Sequence, residues 1–433
     1  MLIGLLVFIL LLILFLLVEH KNDYMAPGLI LSIVYAVAII FSIYNWKAWQ
    51  LDSYSFLAAQ IIGVSVFEFA VVGIIIDRYW RRRNVTIDDK ETMIEIKTPL
   101  WFCLLNLSLC IIALFLTIRS NPSNLGNLLN SFGYSGVSQV GTEGVSNGLF
   151  LSVLNKYVDI QIYFFTAVLA NNIIVRKFKL TDLICIISIL SVIIKSMLNG
   201  TRMSMLHVLA CFIFALYYFK HKQNIKQKSF DRKYVMYILI SMTALLYIFY
   251  QIRDYRGTKN NMDILYYISL YTSSPIKSLD LFANAPVESS IFGKETFRTI
   301  NYNLSLFGNS DLQYERHLEF RWVGNIPLGN VYGASRRYYA DFGMIGLILL
   351  VLIFAVLINW LYFKHKYTGG RRINFAIIVL SYLYFTVPMF AIDDVFYTEL
   401  SIGYVFNLLI LYALYVLFIK RSLALKIGNI RLN

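Results

Sequence analysis

Long uninterrupted apolar runs are the feature that most limits what this chain can fold into. Runs such as Leu2–Val18 and Leu347–Leu361 recur along the sequence, and only 15% of its 433 residues are charged. A membrane-spanning helix needs about 20 mostly apolar residues, whereas the strands of an outer-membrane barrel alternate polar and apolar residues over about ten positions. The sequence therefore predicts an all-α, polytopic integral membrane protein, and it excludes a soluble enzyme, a disulfide scaffold and a disordered chain.

The distribution of basic residues predicts how the helices cross the membrane. Cytoplasmic loops collect Lys and Arg, and the segments 81–83, 176–179 and 220–233 are strongly basic. We therefore place the N-terminus outside and the C-terminus in the cytoplasm, which also explains the net charge of +14 without a nucleic-acid partner. His20, in a basic inner loop, is interpreted as solvated. The eleven predicted helices span residues 2–18, 25–44, 56–76, 98–118, 150–172, 181–198, 203–219, 234–252, 338–362, 373–391 and 396–419.

This topology divides the chain into three parts. Residues 1–252 form an N-terminal transmembrane bundle of about eight helices, and residues 253–337 form a long periplasmic or extracellular loop with interfacial helices. Residues 338–433 contain the C-terminal helices and a basic cytoplasmic tail. Long structured insertions between helices are uncommon unless they have a function, so the loop is the first place to look for a site.

The long outer loop departs from the charge rule, because an outer segment should be poor in Lys and Arg. Arginine binds phosphate oxygens through two parallel hydrogen bonds and stays charged in a dry site. A cluster on this side of the membrane therefore indicates an anionic ligand, and a lipid pyrophosphate fits. A solvated basic loop that contacts lipid headgroups is the alternative. The candidate residues, including one in a neighbouring hairpin, are Arg202, Arg253, Arg256, Arg298, Arg321, Arg336 and Arg337.

Local spacing gives several of these residues a more specific interpretation. Arg253 and Arg256 share a face if the eighth helix continues, and Arg202 lies beside the first turn of a helix, where free N–H groups attract anions. Snorkelling to lipid headgroups explains these three residues equally well. Arg337 and Asp341 are four residues apart, so a simple ion pair between them is the alternative to a functional role.

A group-transfer reaction would also need a proton acceptor within about 3 Å of the attacking hydroxyl. The candidates beside the arginines are Glu295, Asp311, Glu315, His317 and Glu319, and a solvated surface position is the alternative for each. The sequence has no P-loop, nucleotide fingerprint or zinc-protease motif, so ATP-driven transport and zinc proteolysis lack support. Aromatic residues of the loop, Trp322 among them, offer faces to sugar rings or anchors at the lipid interface.

The helix plan, the long outer loop before the last three helices and the stretches 199–202 and 330–346 resemble the O-antigen and capsule polymerases of the Wzy type. These enzymes are related to the O-antigen ligases, in which a His-Asn-x-Tyr pattern precedes the last group of helices. Here Asn330–Tyr332 matches the end of that pattern, but Gly329 stands at the position of the histidine. The resemblance therefore directs attention to the arginines that follow.

The resemblance implies a metal-independent glycosyltransferase without a cofactor, with a GT-C-like fold, in the bacterial cytoplasmic (inner) membrane. Its donor and acceptor would be polyprenyl-pyrophosphate-linked oligosaccharide repeat units, joined into O-antigen or capsule polysaccharide on the outer face. Membrane lipids, a chain-length regulator and a flippase are the implied partners. The catalytic candidates are Arg202, Arg253, Arg256, Arg336, Arg337 and His317, and the substrate-binding candidates are Arg298, Arg321, Tyr332, Tyr338 and Asp341.

Two other functions stay open at this point. A polysaccharide flippase or secondary transporter would show paired halves and place charge near the middle of the membrane. A non-catalytic scaffold of a glycan-export complex would tolerate the loss of individual outer arginines.

Overall fold

The structure, a computed structural model, describes residues 1–83, 93–120, 149–199, 201, 203–223, 236, 264–286, 291–305, 318–368 and 373–420. Its helices are α1 (Leu2–Glu19), α2 (Pro27–Tyr44), α3 (Phe56–Arg82), α4 (Leu100–Ser120), α5 (Leu149–Val175), α6 (Leu180–Leu198), α7 (Met203–Gln223), α8 (Ile264–Asn284), α9 (Arg298–Ser305), α10 (Ala334–Thr368), α11 (Phe375–Leu383), α12 (Thr386–Met389) and α13 (Ile402–Tyr415). A π-helical turn, Val416–Lys420, follows α13. Strands β1 (Arg321–Val323) and β2 (Ile326–Gly329) form an antiparallel hairpin.

Nine helices in the described part of the chain are long and apolar enough to cross a membrane, judged by length and composition. The prediction of a helical, multi-pass membrane protein is therefore confirmed. Every predicted span overlaps a described helix except 234–252, of which only residue 236 is described. The total of eleven spans and the GT-C-like fold stay predictions.

Contacts divide the chain into two compact units, each built from three separate stretches. The first unit contains Met1–Ile87, Met262–Gly369 and Leu383–Val405, and the second contains Asp88–Asn261, Gly370–Tyr382 and Phe406–Asn433. The division into 1–252, 253–337 and 338–433 describes the order along the sequence and stays a prediction. Within the second unit, α4 packs against α6 and α5 packs against α7.

The contact between α3 and α10 is central to the first unit. The ring of Phe69 meets the edge of Phe354, with centroids 5.4 Å apart. Gly73 faces Asn359, and a Cβ added to this glycine would lie 3.0 Å from the amide oxygen. The missing side chain therefore permits the close approach of the two helices. Residue numbers rise together along the contact, so the helices run parallel here, as they also do in the predicted topology.

The C-terminal ends of α3 and α10 enclose a buried polar network around Asp77. Its carboxylate accepts a hydrogen bond from Tyr367 at 2.6 Å, lies 2.7 Å from Nδ1 of His20 and pairs with Arg81. A buried carboxylate needs such donors, because burial without them is strongly unfavourable. The interpretation of His20 as solvated is therefore wrong, since this residue is only 1% exposed.

Candidate functional site

Arg336 and Arg337 lie in the first turn of α10, where they are 1% and 3% exposed. Gly333, the residue before the helix, has a φ of 82°, which a glycine adopts without strain. Its N–H donates to the carbonyl of Ile392 at 2.9 Å, and the N–H of Ala334 donates to another carbonyl of the same segment. These bonds fix the start of α10 against the chain that follows α12, and they place both arginines inside the first unit.

Arg336 is held between two carboxylates and two aromatic rings. Its guanidinium pairs with Glu295 and lies 3.1 and 3.2 Å from the two carboxylate oxygens of Glu319. The rings of Phe282 and Tyr332 lie 4.6 and 4.7 Å from its Cζ, within the range of cation–π attraction. The Nε atom is buried and has no hydrogen-bond partner among the described residues. A buried donor of this kind is unfavourable unless it is paired, so a ligand oxygen placed there would be stabilised.

Arg337 makes a second, bidentate ion pair with Asp393, at 2.8 and 3.0 Å. The neighbouring Asp394 turns away and accepts the backbone N–H groups of Phe396 and Tyr397 at 2.8 and 3.1 Å. Burial raises the pKa of Asp394 to about 6. We did not predict either aspartate as a site residue. The sequence feature that could have indicated them is the acidic pair itself, which stands between two apolar stretches, where charge is unfavourable unless it is paired.

The two carboxyl groups that hold Arg336 have pKa values shifted in opposite directions. Burial raises the pKa of Glu295 above its ordinary value, despite the nearby Arg336 and Arg337. Burial also opposes ionisation of Glu319, but Arg336 and Arg321 outweigh it and hold the pKa of this carboxyl below its ordinary value. The Glu295 and Glu319 side chains are 17% and 41% exposed. Such divergent carboxyls are typical of acid–base sites.

Arg337 pairs with Asp393 and not with Asp341, so the simple ion pair that the spacing left open is not formed. The carboxylate of Asp341 instead accepts the backbone N–H groups of Glu295 and Thr296, at 3.0 and 2.7 Å. Two charge-assisted bonds of this kind fix the backbone beside Glu295. Asp341 therefore positions Glu295, and it leaves Arg337 to the aspartate that lies 56 residues further along the chain.

Three of the predicted substrate-binding residues surround the same cluster. Arg321 donates to the hydroxyl of Tyr332 at 3.1 Å and to Glu319 at 2.9 Å, so these two predicted residues belong to one hydrogen-bonded group with Glu319, and Asp341 is the third, through its bonds beside Glu295. Tyr338 is fully buried and packs edge-to-face against aromatic neighbours, while Arg298 begins α9. The roles of these residues in substrate binding stay predictions.

A sharp break at Gly343 separates the arginine-bearing turn from the rest of α10. Its φ of 65° and ψ of −164° are adopted almost only by glycine. We expect Gly343→Ala to lower the free energy of unfolding by about 1–3 kcal/mol, because a Cβ would strain the backbone although it would meet no atom within 4 Å. Thermal unfolding of the purified protein in detergent measures this. The control is Gly4→Ala, which has equal space and no positive φ; equal effects of both changes would contradict the expectation.

Several predicted residues cannot be placed in this cluster. The described ranges do not include Arg202, Arg253, Arg256 and His317. Across the described part of the chain, no three His, Cys, Asp or Glu side chains are grouped as a metal site would require. Comparison with protein-family models, with curated proteins and with solved structures finds no match to this chain.

Proposed function

We propose that this protein is a glycosyltransferase that joins polyprenyl-pyrophosphate-linked oligosaccharide repeat units into a surface polysaccharide, O-antigen or capsule, on the outer face of the bacterial cytoplasmic membrane. The observation that carries this proposal is the pair of carboxyls with divergent pKa values on Arg336. Transfer requires the removal of a proton from an acceptor hydroxyl and the stabilisation of a departing pyrophosphate. The cluster contains groups suited to both tasks.

Glu295 is the proton acceptor in this mechanism. The acceptor oxygen attacks the anomeric carbon of the donor, its proton passes to Glu295, and the bond between that carbon and the pyrophosphate breaks. A general base works best when its pKa approaches the working pH, and burial shifts the pKa of Glu295 in that direction. Asp341 supports this role by fixing the backbone of the same segment.

The two arginines receive the negative charge that develops on the leaving pyrophosphate. A phosphate oxygen would be bound at the unpartnered Nε of Arg336, and a second would compete with Glu319, the more exposed of its carboxylates. Arg337, the next residue of the helix, adds a second guanidinium group beside Arg336. Removal of one well-placed donor of this type costs about 3–4 kcal/mol in the transition state.

The carboxylates have a physical role before the substrate arrives. A buried guanidinium without a partner is strongly destabilising, so Glu319 and Asp393 compensate the charge of the two arginines and orient them inside the protein. The described cluster contains three arginines and five acidic residues, joined by side-chain and backbone hydrogen bonds. They are Arg321, Arg336, Arg337, Glu295, Glu319, Asp341, Asp393 and Asp394.

Secondary transport, such as flipping of a lipid-linked glycan, is the second candidate. Buried ion pairs and carboxyls with raised pKa values inside a helical protein also occur in proton relays of transporters. The Arg336 and Arg337 pairs fit that pattern, because both arginines are enclosed by the first unit.

A deletion strain distinguishes the two candidates. If the protein is the polymerase, lipid-linked single repeat units accumulate on the outer side, and the cell surface carries single units in place of long chains. If it is a flippase, the same units are trapped in the cytoplasmic leaflet. Normal long-chain polysaccharide in the deletion strain would contradict both functions.

A further inference from the structure

Two aromatic rings lie on the outer side of the hairpin β1–β2. Phe320, the residue before β1, and Trp322 within it are 55% and 56% exposed, whereas Val323 is 7% exposed. The two exposed rings are neighbours, with centroids 5.4 Å apart and planes inclined by 48°. A two-residue turn that begins with Gly324, at a φ of 55°, closes the hairpin and fixes its position. The rings therefore form a preformed aromatic surface.

The opposite side of the same strand is bonded to the charged cluster. Arg321 donates to Tyr332 and to an oxygen of Glu319, and that oxygen also lies 3.1 Å from Arg336. The hydroxyl of Tyr332 in turn donates to the backbone carbonyl of Glu319 at 2.7 Å. One carboxylate thus links the hairpin to the proposed catalytic arginine, so a ligand on Trp322 is held at a fixed distance from that arginine.

The polar groups beside the rings indicate which ligand this surface suits. Glu319 is 41% exposed and Arg321 is 27% exposed, and they lie next to Phe320 and Trp322 in the chain. Insertion of the rings into lipid tails would also bring this carboxylate out of water, which is strongly unfavourable. A pyranose ring needs the combination that is present here. Its C–H face packs on the negative face of an aromatic ring, and its hydroxyls bond to carboxylate and guanidinium.

We propose that Phe320 and Trp322, with Glu319 and Arg321 at their edge, form a carbohydrate-binding subsite for a sugar ring of the glycan substrate. This assignment rests on the proposed transfer function and extends it to a substrate-positioning surface that shares Glu319 and Arg321 with the charged cluster. Trp322 supplies the main stacking face, and the carboxylate of Glu319, whose side chain is 41% exposed, accepts hydrogen bonds from sugar hydroxyls.

The test measures binding of lipid-free oligosaccharide repeat units, released from the surface polysaccharide of the host, to the purified full-length protein in lipid nanodiscs. We expect Trp322→Ala and Trp322→Leu each to weaken binding by about tenfold or more, and Trp322→Tyr to keep most of it. Leucine preserves an apolar lipid contact but has no aromatic face. Trp101→Leu is the matched control, because Trp101 is 67% exposed and also neighbours a phenylalanine ring; its binding should equal that of the wild type.

Wild-type affinity in both Trp322→Ala and Trp322→Leu would overturn the subsite and leave the transfer reaction standing. Loss of affinity in the alanine variant alone, with the leucine variant unchanged, would show an apolar contact and would also overturn it. The deletion strain tests the transfer reaction separately, since normal polymer there overturns the reaction whatever the binding result.

Discussion

Arg337→Lys is expected to abolish long-chain polysaccharide while the protein remains at its normal level in the membrane. Lysine keeps the positive charge beside Asp393, so the buried carboxylate is not left alone. It lacks the planar fork that makes two bonds to Asp393 and that the proposed reaction requires for phosphate oxygens. We expect the transfer rate to fall by about 100- to 1,000-fold, the loss seen when one well-placed charge donor is removed. Gel analysis of chain length, with immunoblotting of the membrane fraction, measures both quantities.

At this position a change to lysine tests the chemical role of Arg337 more specifically than a change to alanine. Removal of one partner of a buried ion pair destabilises a protein by about 3–5 kcal/mol, so Arg337→Ala would mix misfolding with lost chemistry. The matched control is Arg78→Lys, because Arg78 makes a similar bidentate pair with Glu19 but is 52% exposed. The control should make polymer of normal length. Normal polymer in Arg337→Lys as well would show that Arg337 has no part in the reaction.

Glu295→Gln is the second change with a large expected effect. Glutamine preserves the size of the side chain but cannot take up a proton, so we expect the rate to fall by about 100- to 10,000-fold. Glu19→Gln is a close control, since the Glu19 side chain is 17% exposed, like Glu295, and also pairs with an arginine. Measurement of single-turnover rates with lipid-linked repeat units separates this loss from weaker binding. A rate of Glu295→Gln near that of the wild type would exclude Glu295 as the base.

The raised pKa of Glu295 also predicts the direction of the pH dependence. A carboxyl with a raised pKa stays protonated to higher pH, and only its ionised form accepts a proton. The wild-type rate should therefore rise with pH through this pKa, and the rise should be absent in Glu295→Gln. The pH dependence of folding stability runs in the opposite direction to that of the rate. The contribution of this group is fully present below its ordinary pKa and is lost as the pH rises through the raised value.

The helices were predictable because apolar runs of span length leave few alternatives. The sequence also predicted that Arg336 and Arg337 are either paired or functional, since two arginines at the entrance of an apolar helix are unusual. The ion-pair partners of these arginines could not be predicted from the sequence pattern. Spacing on one helix made Asp341 one candidate partner of Arg337, but hydrogen bonds from two backbone N–H groups hold that carboxylate elsewhere. The true partner, Asp393, comes from a segment that folds back onto the start of α10.

Residues that are distant in sequence and joined only by the fold account for the other errors. His20 has the composition of a solvated loop around it, yet the end of α3 brings Asp77 to within 2.7 Å. Periodicity also cannot detect the break at Gly343, because the apolar pattern continues past it. Hydrophobic patterning thus predicts which segments are helical, whereas tertiary contacts decide which charges meet.

The most direct test of the central claim is polymerisation by the purified protein in proteoliposomes that contain lipid-linked repeat units on the side facing the candidate site. The account predicts that the wild-type protein converts single units into a ladder of longer chains and releases free polyprenyl pyrophosphate, and that Arg337→Lys and Glu295→Gln do neither. Transfer of intact single units across the bilayer by the wild-type protein, without a ladder, would contradict it.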